Sequence, residues 1–372
     1  MKIVYMSNSI IPSRTANSIH VMKMCQAFSD NGHEVVLLMP DSKEKYEKNI
    51  TDVYSYYGVK EIFRIRKFKS FGFKGQSILQ LFYIFDILAK EAPDLVYGRF
   101  TAGCAAASLM RFDTILEVHS PIWETGVVNR FAFWFLGQNF KSFKRIVLIS
   151  DALKNAYSNK NIIDMRKIRV AHDAADCVAD FSEKVKLKGT RANLEIGYIG
   201  HLYKGRGVDL IIDMADQLPQ HNFHVVGGMN CDVEYWINIL KGRDVNNIYF
   251  YGYVPPAETV KFRNSFDVLL APYAKSVSVY GSNKSTSSYM SPLKIFEYMA
   301  HRKPIIISDL PVLREVFSNS SAIFAVPEDL GSWVSAVSKL ECEGLRARIS
   351  ENAYNCFIKN HTWNIRAQKV LE

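Results

Sequence analysis

The feature that most limits how this chain can fold is a strand–helix–strand alternation that runs, stops and starts again. Residues 2–7 read as a strand, followed by a polar loop with Pro12, Ser13, Arg14, Asn17 and Ser18. Residues 19–29 place Ile19, Val21, Met22, Cys25 and Phe28 mostly at helical spacing. They stop before Gly32, the residue type that closes a helix with left-handed backbone. The apolar block 35–39 lies inside the next strand, 34–39. Strands joined through a helix must run parallel, with a right-handed crossover. Segments 94–97, 114–118 and 145–149 read as later strands of the same sheet, each ending in polar residues. Residues 182–193 are charged and poor in bulky apolar groups, and then the pattern restarts. A strand at 194–199, a loop at 200–207, a helix at 208–217 and a strand at 222–226 are followed by strands at 247–251, 268–271, 304–307 and 322–325. The prediction is an α/β chain of two doubly wound parallel-sheet domains facing a central cleft. The first spans 1–181, a linker 182–193 and the second 194–350. The helical end, 351–372, crosses back to the first domain.

Composition narrows the class. A chain of 372 residues is long for one core. Apolar residues make up 48% and charged residues 22%, as in ordinary globular proteins. Six scattered cysteines form no CxxC pair, which disfavours a disulfide framework or a zinc site and suits a reducing compartment. The first residues lack a signal-peptide pattern, and no run of 18 uncharged apolar residues is present, so a cytoplasmic protein is expected. The net charge is +9. Between Lys60 and Lys74, Arg64, Arg66, Lys67 and Lys69 face only Glu61. Such a run suits an anionic partner or a solvated face, and charge alone does not separate the two.

Two segments carry site chemistry. In 291–300, Ser291 reads as a helix N-cap, Pro292 as the first helical residue, and Glu297 lies about one and a half turns in. A helix start offers unpartnered N–H groups to an anion, and a carboxylate further along can accept bonds from paired hydroxyls such as those of a ribose. In isolation, an ordinary capped helix explains the same residues. The loop 200–207 follows a strand, opens a helix, and contains three glycines with Lys204 and Arg206. Glycines admit close backbone approach, and the cations suit a diphosphate. The loop is neither GxxxxGK[ST] nor GxGxxG, so a P-loop ATPase and an NAD enzyme are both disfavoured.

Taken with Gly227 and Gly228, residues 267–273, Lys303-Pro304 and residues 311–316, these segments resemble the retaining nucleotide-sugar glycosyltransferases of family GT4. Residues 13–20, 32–35 and 117–120 resemble that family's first half. The resemblance implies the GT-B fold, two Rossmann-like domains, and transfer of a sugar from a nucleoside-diphosphate sugar without a metal or other cofactor. Arg206 would contact the donor diphosphate with Lys204 nearby, and Lys294 would help neutralise it as it leaves. His201 stands where many members have Arg. Glu297 matches the second acid of the family's E-x7-E motif, which holds the ribose. The first acid is replaced by Tyr289, so the sugar would meet the tyrosine hydroxyl and the backbone of Met290, Ser291, Pro292 and Leu293. Asn17 and Gly228 are further donor-binding candidates. His119, at the end of a strand, would lie near the donor sugar and act with Arg206 and Lys294 in catalysis. Asp173 and Asp176 read as structural. The implied chemistry is front-face transfer to a glycan or lipid-linked acceptor in cell-surface polysaccharide synthesis.

Two aromatic and cationic stretches, 68–89 and 129–145, suit a membrane interface and equally a packed core with solvated lysines. Peripheral contact at the inner face of a membrane is therefore an open expectation, and nucleic acid is disfavoured because no recognised module is present. Two rival functions stand beside transfer. One is a GT-B sugar-nucleotide epimerase. The other is a non-catalytic nucleotide-sugar-binding protein, which Tyr289 favours.

Overall fold

The computed structural model describes residues 1–41, 47, 50–70, 76–139, 141–279 and 282–372. It divides into two compact units, Met1–Asp173 with Trp363–Glu372, and Ala174–Thr362.

The first unit runs β1 (Lys2–Met6), α1 (Ala16–Asp30), β2 (Glu34–Asp41), α2 (Val53–Tyr57), β3 (Arg64–Lys69), α3 (Ser77–Glu91), β4 (Leu95–Gly98), α4 (Thr101–Leu109), β5 (Asp113–Val118), α5 (Val127–Asn139), β6 (Phe143–Leu148), α6 (Asp151–Lys160) and β7 (Ile168–Val170). Its seven strands are parallel, in the order β3-β2-β1-β4-β5-β6-β7. The second unit runs β8 (Glu195–Ile199), α7 (Val208–Gln217), β9 (Asn222–Val226), α8 (Asn230–Leu240), β10 (Ile248–Gly252), α9 (Thr259–Ser265), β11 (Val268–Ala271), β12 (Ser278–Val279), β13 (Ser282–Ser285), α10 (Leu293–Ala300), β14 (Ile305–Ser308), β15 (Ile323–Ala325), α11 (Leu330–Lys339) and α12 (Glu343–Asn360). Its main sheet is parallel, in the order β10-β9-β8-β11-β14-β15. The last helix, α13 (Trp363–Leu371), belongs to the first unit.

Both sheets wind outward in two directions from a central pair, β1/β4 and β8/β11. Connections there leave toward opposite faces, which opens a ligand crevice beyond the carboxyl ends of the strands. The strands flanking the second switch point are wholly buried, Glu195 to Ile199 and Val268 to Ala271, as expected when helices cover both faces.

The helix expected at 19–29 starts at Ala16, because the Thr15 side chain caps it by accepting from Ser18 N at 3.3 Å. Gly32 closes it with φ +84°. The basic run at 60–69 is mostly strand. β3 is an edge strand whose Arg64 and Arg66 pair with buried Glu91 at 3.3 and 3.0 Å, and charge on an edge discourages pairing with another chain. Lys74 lies outside the described residues.

The boundaries differ from the sequence expectation in three places, the first being that the opening stretch of the first unit ends at Asp173 rather than 181, with Ala174 onward in the second unit. Residues 182–193 are not a free linker but belong to the second unit. The second unit's side chains pin their backbone: Ser265 Oγ accepts from Val185 N at 2.9 Å, and Asn264 and Asn222 donate to Glu183 O and Thr190 O at 3.0 and 2.8 Å. The crossing-back segment is α13 alone rather than 351–372. α12 stays in the second unit, where it packs on α10, whereas α13 packs on α1, with Asn31 donating to Asn364 O at 3.0 Å.

Candidate functional site

In the second unit the candidate residues gather on the loops that follow β8, β9 and β11 and at the start of α10. The helix start differs from expectation. Pro292 is the N-cap, with φ −77° and ψ 125°, and no side chain caps the helix. Ser291 is one residue too early, because a proline in extended backbone takes the half-helical position itself. Ile295 N–H turns back to Pro292 O at 3.2 Å. The N–H groups of Leu293 and Lys294 have no carbonyl one turn earlier within the helix.

Lys294 points its ammonium at the β8 loop. A Cβ on Gly200 would lie 2.6 Å from Nζ, so glycine there is what admits the lysine. Nζ stands 3.8 Å from the centroid of the Tyr198 ring and 5.4 Å from that of Tyr273. Although the residue as a whole is half-buried, Nζ is enclosed and has no hydrogen-bond partner among the described residues. Burial, followed by repulsion from Arg206, holds its pKa well below the usual lysine range, with Glu297 opposing. Arg206 sits 5.5 Å from the centroid of the same Tyr273 ring, and its Nε is also enclosed without a partner. His201 is pushed down to about 4 by burial and by these two cations, so it is neutral at physiological pH. Its ring stacks on Tyr203 at 4.9 Å. An enclosed ammonium and a half-buried guanidinium, without a carboxylate paired to either among the described residues, beside open helix amides, make a receptive place for an anion.

Glu297 lies further along α10 and is held by Arg263 from α9, Nη1 to Oε2 at 3.0 Å. Sequence reasoning missed Arg263, and nothing in the spacing of 259–265 marks it. Only the fold brings α9 to α10. Tyr289, Met290 and Ser291 are buried, and Pro292 and Leu293 half-buried. Lys204 is exposed and lines a separate cavity of about 810 Å³ with Tyr203, Tyr235 and Trp236, whose lining includes neither Arg206 nor Lys294.

The glycines are placed by contact. Gly227 has φ +117° and a Cβ there would stand 2.1 Å from Gly200 O. Gly228 has φ +83° and meets Leu202. Gly207, at φ +78°, would put a Cβ 2.1 Å from Pro272 O, a backbone atom that cannot swing away. Gly207→Ala should therefore cost about 1–3 kcal/mol in denaturant unfolding and displace the neighbouring Arg206. An unchanged unfolding midpoint would contradict that account.

In the first unit, His119 follows β5 and is hydrogen-bonded through Nε2 to Glu117 Oε1. Burial and Arg99 lower its pKa to about 4, against Glu117. Asn17, in the first turn of α1, has an enclosed Oδ1 without a partner among the described residues. The carboxylate of Asp173 accepts from the ring Nδ1 of His20 at 2.8 Å. His20, Glu117 and His119 bring three donor atoms within 4.8 Å of one another, a spacing a metal ion could use. Arg366, however, already binds both oxygens of Glu117, at 3.0 and 3.2 Å, and puts a fixed positive charge on that carboxylate.

The aromatic segments divide between core and surface. Phe68, Phe133, Leu136 and Phe143 are buried. Phe82 on α3 and Phe131 and Trp134 on α5 are 70%, 64% and 51% exposed, and both helices pack on α4. Phe71, Phe73 and Phe140 lie outside the described residues. Among the described residues, no helix is long and apolar enough to cross a membrane.

Two family models match. Residues 18–178 match Glycosyltransferase Family 4, and residues 193–342 match Glycosyl transferases group 1. The chain is similar to the O-antigen chain mannosyltransferase RfbU of Salmonella typhimurium, 34% identical over 77 residues, 21% of each chain. It is also similar to the Uncharacterized glycosyltransferase MJ1069 of Methanocaldococcus jannaschii, 25% identical over 236 residues, 60% of this chain and 56% of that one. These matches thus span about a fifth and about half of the curated relatives' length. Among solved structures, Anabaena Alr3699/HepE in complex with UDP and glucose superposes with a TM-score of 0.73 at 15% identity, over 100% of this chain and 98% of the other.

Proposed function

Because the chain belongs to the family 4 glycosyltransferases and has the GT-B fold, we propose that its second unit binds a nucleoside-diphosphate sugar and that the enzyme transfers the sugar with retained configuration and without a metal. The observation that carries this reading is the enclosed ammonium of Lys294, without a hydrogen-bond partner among the described residues, together with the half-buried Arg206 and the open amides of α10. A diphosphate supplies the missing counter-charge. Glu297, steadied by Arg263, then accepts from the ribose hydroxyls. Tyr289 and the backbone of Met290 to Leu293 face the sugar, with Asn17, His201 and Gly228 as further donor contacts and Lys204 at the margin. As the bond from the anomeric carbon to the phosphate oxygen breaks and the acceptor oxygen bonds that carbon, the leaving phosphate gains charge, which the two cations and the helix amides stabilise, and its oxygen takes the proton of the attacking hydroxyl. His119 meets a sugar hydroxyl of the substrates. The structural neighbour crystallised with UDP and glucose supports a nucleoside-diphosphate donor.

The acceptor in this reading is a glycan or a lipid-linked precursor of a surface polysaccharide, at the cytoplasmic face of a membrane. The O-antigen mannosyltransferase relative and the exposed Phe82, Phe131 and Trp134 support it.

Thermal unfolding against UDP-, GDP-, ADP-, CMP- and dTDP-sugars, without added metal, tests the donor site. One nucleotide series should raise the melting temperature, since a ligand that binds only the folded state stabilises it by mass action. Glu297→Gln, which keeps a polar partner for Arg263, should lose about 1–2 kcal/mol of that binding. If no nucleotide sugar shifts the transition, the donor site is not where we place it. Tyr289 in place of an acid keeps a non-catalytic sugar-nucleotide-binding role in view. Binding without transfer or hydrolysis for any acceptor would establish that role instead.

A further inference from the structure

Glu117 is the hub of a buried polar cluster in the first unit that the donor site does not explain. It is 2% exposed and accepts hydrogen bonds from the Tyr97 hydroxyl and from both terminal nitrogens of Arg366. Arg366 comes from α13, is itself 2% exposed, and is anchored by His172 O at 2.9 Å and Ala171 O at 3.3 Å. His20, from α1, lies between the two carboxylates of the cluster, Nε2 2.8 Å from Glu117 Oε1 and Nδ1 2.8 Å from Asp173 Oδ1. The His119 ring meets that of His20 edge-on at 5.0 Å. Its side chain is 21% exposed, whereas those of His20, Glu117, Asp173 and Arg366 are 6% or less.

The titratable and charged groups around His119 are Glu117 on β5, Arg99 after β4, His20 on α1 and Asp173 after β7, with Arg366 on α13 reaching it through Glu117. Burial alone would raise the Glu117 pKa, but Arg366 and His20 outweigh it and hold the carboxyl well below its usual range. A carboxylate has no proton to give. A neutral imidazole has one N–H, and the nitrogen that faces Glu117 is Nε2. The proton must therefore sit on Nε2, which leaves Nδ1 with a lone pair.

We propose that Glu117, bound through both oxygens by Arg366 of the last helix, is a positioning residue that fixes His119 with its proton on Nε2, so that Nδ1 accepts a hydrogen bond from a substrate hydroxyl. This assignment rests on the reading of His119 as a substrate contact. It makes His119 a reader of hydroxyl donors that gives nothing to a phosphate oxygen. It also gives α13 a share in the chemistry: the last helix supplies the charge that holds the tautomer.

Long-range proton–nitrogen NMR of the full chain labelled at histidine tests this without any substrate, with His119→Asn identifying the signal. His119 should appear as the neutral Nε2–H form from pH 5.5 to 8. Glu117→Gln, whose amide can donate, should populate the Nδ1–H form and lower kcat by about tenfold or more, with the affinity for nucleoside diphosphate unchanged. Arg366→Lys should keep the wild-type tautomer. A wild-type ring protonated on Nδ1, or a Glu117→Gln protein with unaltered tautomer and kcat, overturns the proposal. Nucleotide affinity reads the donor site separately, so loss of that reading does not mimic either result.

Discussion

Lys294→Met should leave the protein at least as stable as the native chain while cutting sugar transfer by about 100-fold. The two effects have one cause. Among the described residues Nζ is enclosed without a hydrogen-bond partner or counter-ion, over the rings of Tyr198 and Tyr273 and close to Arg206. Leaving such a group unsatisfied costs about 1–3 kcal/mol, and methionine fills the same space without that cost. For a unit of this size each kcal/mol recovered is about 2–4 °C in melting temperature. The gain should depend on pH in a defined sense. The unfolded chain holds the lysine proton up to about pH 10, whereas the folded chain releases it at a lower pH. Between those limits the unfolded state binds more protons, so native stability rises with pH and the cost of Lys294 is largest toward neutral pH. The advantage of Lys294→Met should therefore shrink as the pH approaches 10. Calorimetry of the two proteins from pH 7 to 10, beside a transfer assay, checks both halves. A large loss of stability in the variant would show that Nζ has a structural partner and that the site is not waiting for an anion.

Arg366→Met should be the most damaging single change in the first unit. It strands the buried carboxylate of Glu117, and breaking one partner of a buried ion pair costs about 3–5 kcal/mol. That is a fall of roughly 10 °C in melting temperature. Here the pH dependence has the opposite sense to that of Lys294. Burial opposes ionisation of Glu117, but Arg366 and His20 outweigh it and depress the pKa well below the ordinary carboxyl value of 4.5. The stabilisation is complete above that value and is lost as the pH falls through the depressed one. The difference between native and variant proteins should be full at pH 7 and should close in acid. Adding Glu117→Gln to Arg366→Met should recover much of the loss, because the stranded charge is gone. Equal stability of Arg366→Met and the native chain at pH 7 would remove the cluster from the account of the fold.

The parallel sheets were legible because buried strands are written as unbroken apolar runs. Residues 208–217, 222–226 and 268–271 are elements with the predicted bounds. β3 was not legible, since an edge strand with Arg64, Arg66, Lys67 and Lys69 reads as a basic surface run. The linker misled for a related reason. Residues 182–193 bury little of their own, and their attachment is made by Ser265, Asn264 and Asn222, remote in sequence. The helix start at 291–293 was placed within one residue, and the cap was misjudged because Ser before Pro is a common cap pair while here the proline takes the extended cap conformation.

What the sequence determined by itself is periodicity and residue chemistry. Alternation of strand and helix requires parallel doubly wound sheets, while the cations of 200–207 suit an anion and the carboxylate of Glu297 suits a hydroxyl-bearing ligand. What only the tertiary structure decided is which of those groups lack partners and which are already paired. Lys294 became an enclosed free cation because β8, β11 and α10 meet around it, and Glu297 acquired Arg263 because α9 lies beside α10. Glu117 joined Arg366 across 249 positions of chain. Such pairings depend on where elements pack, and burial then multiplies their energy. Spacing along the chain carries no record of either.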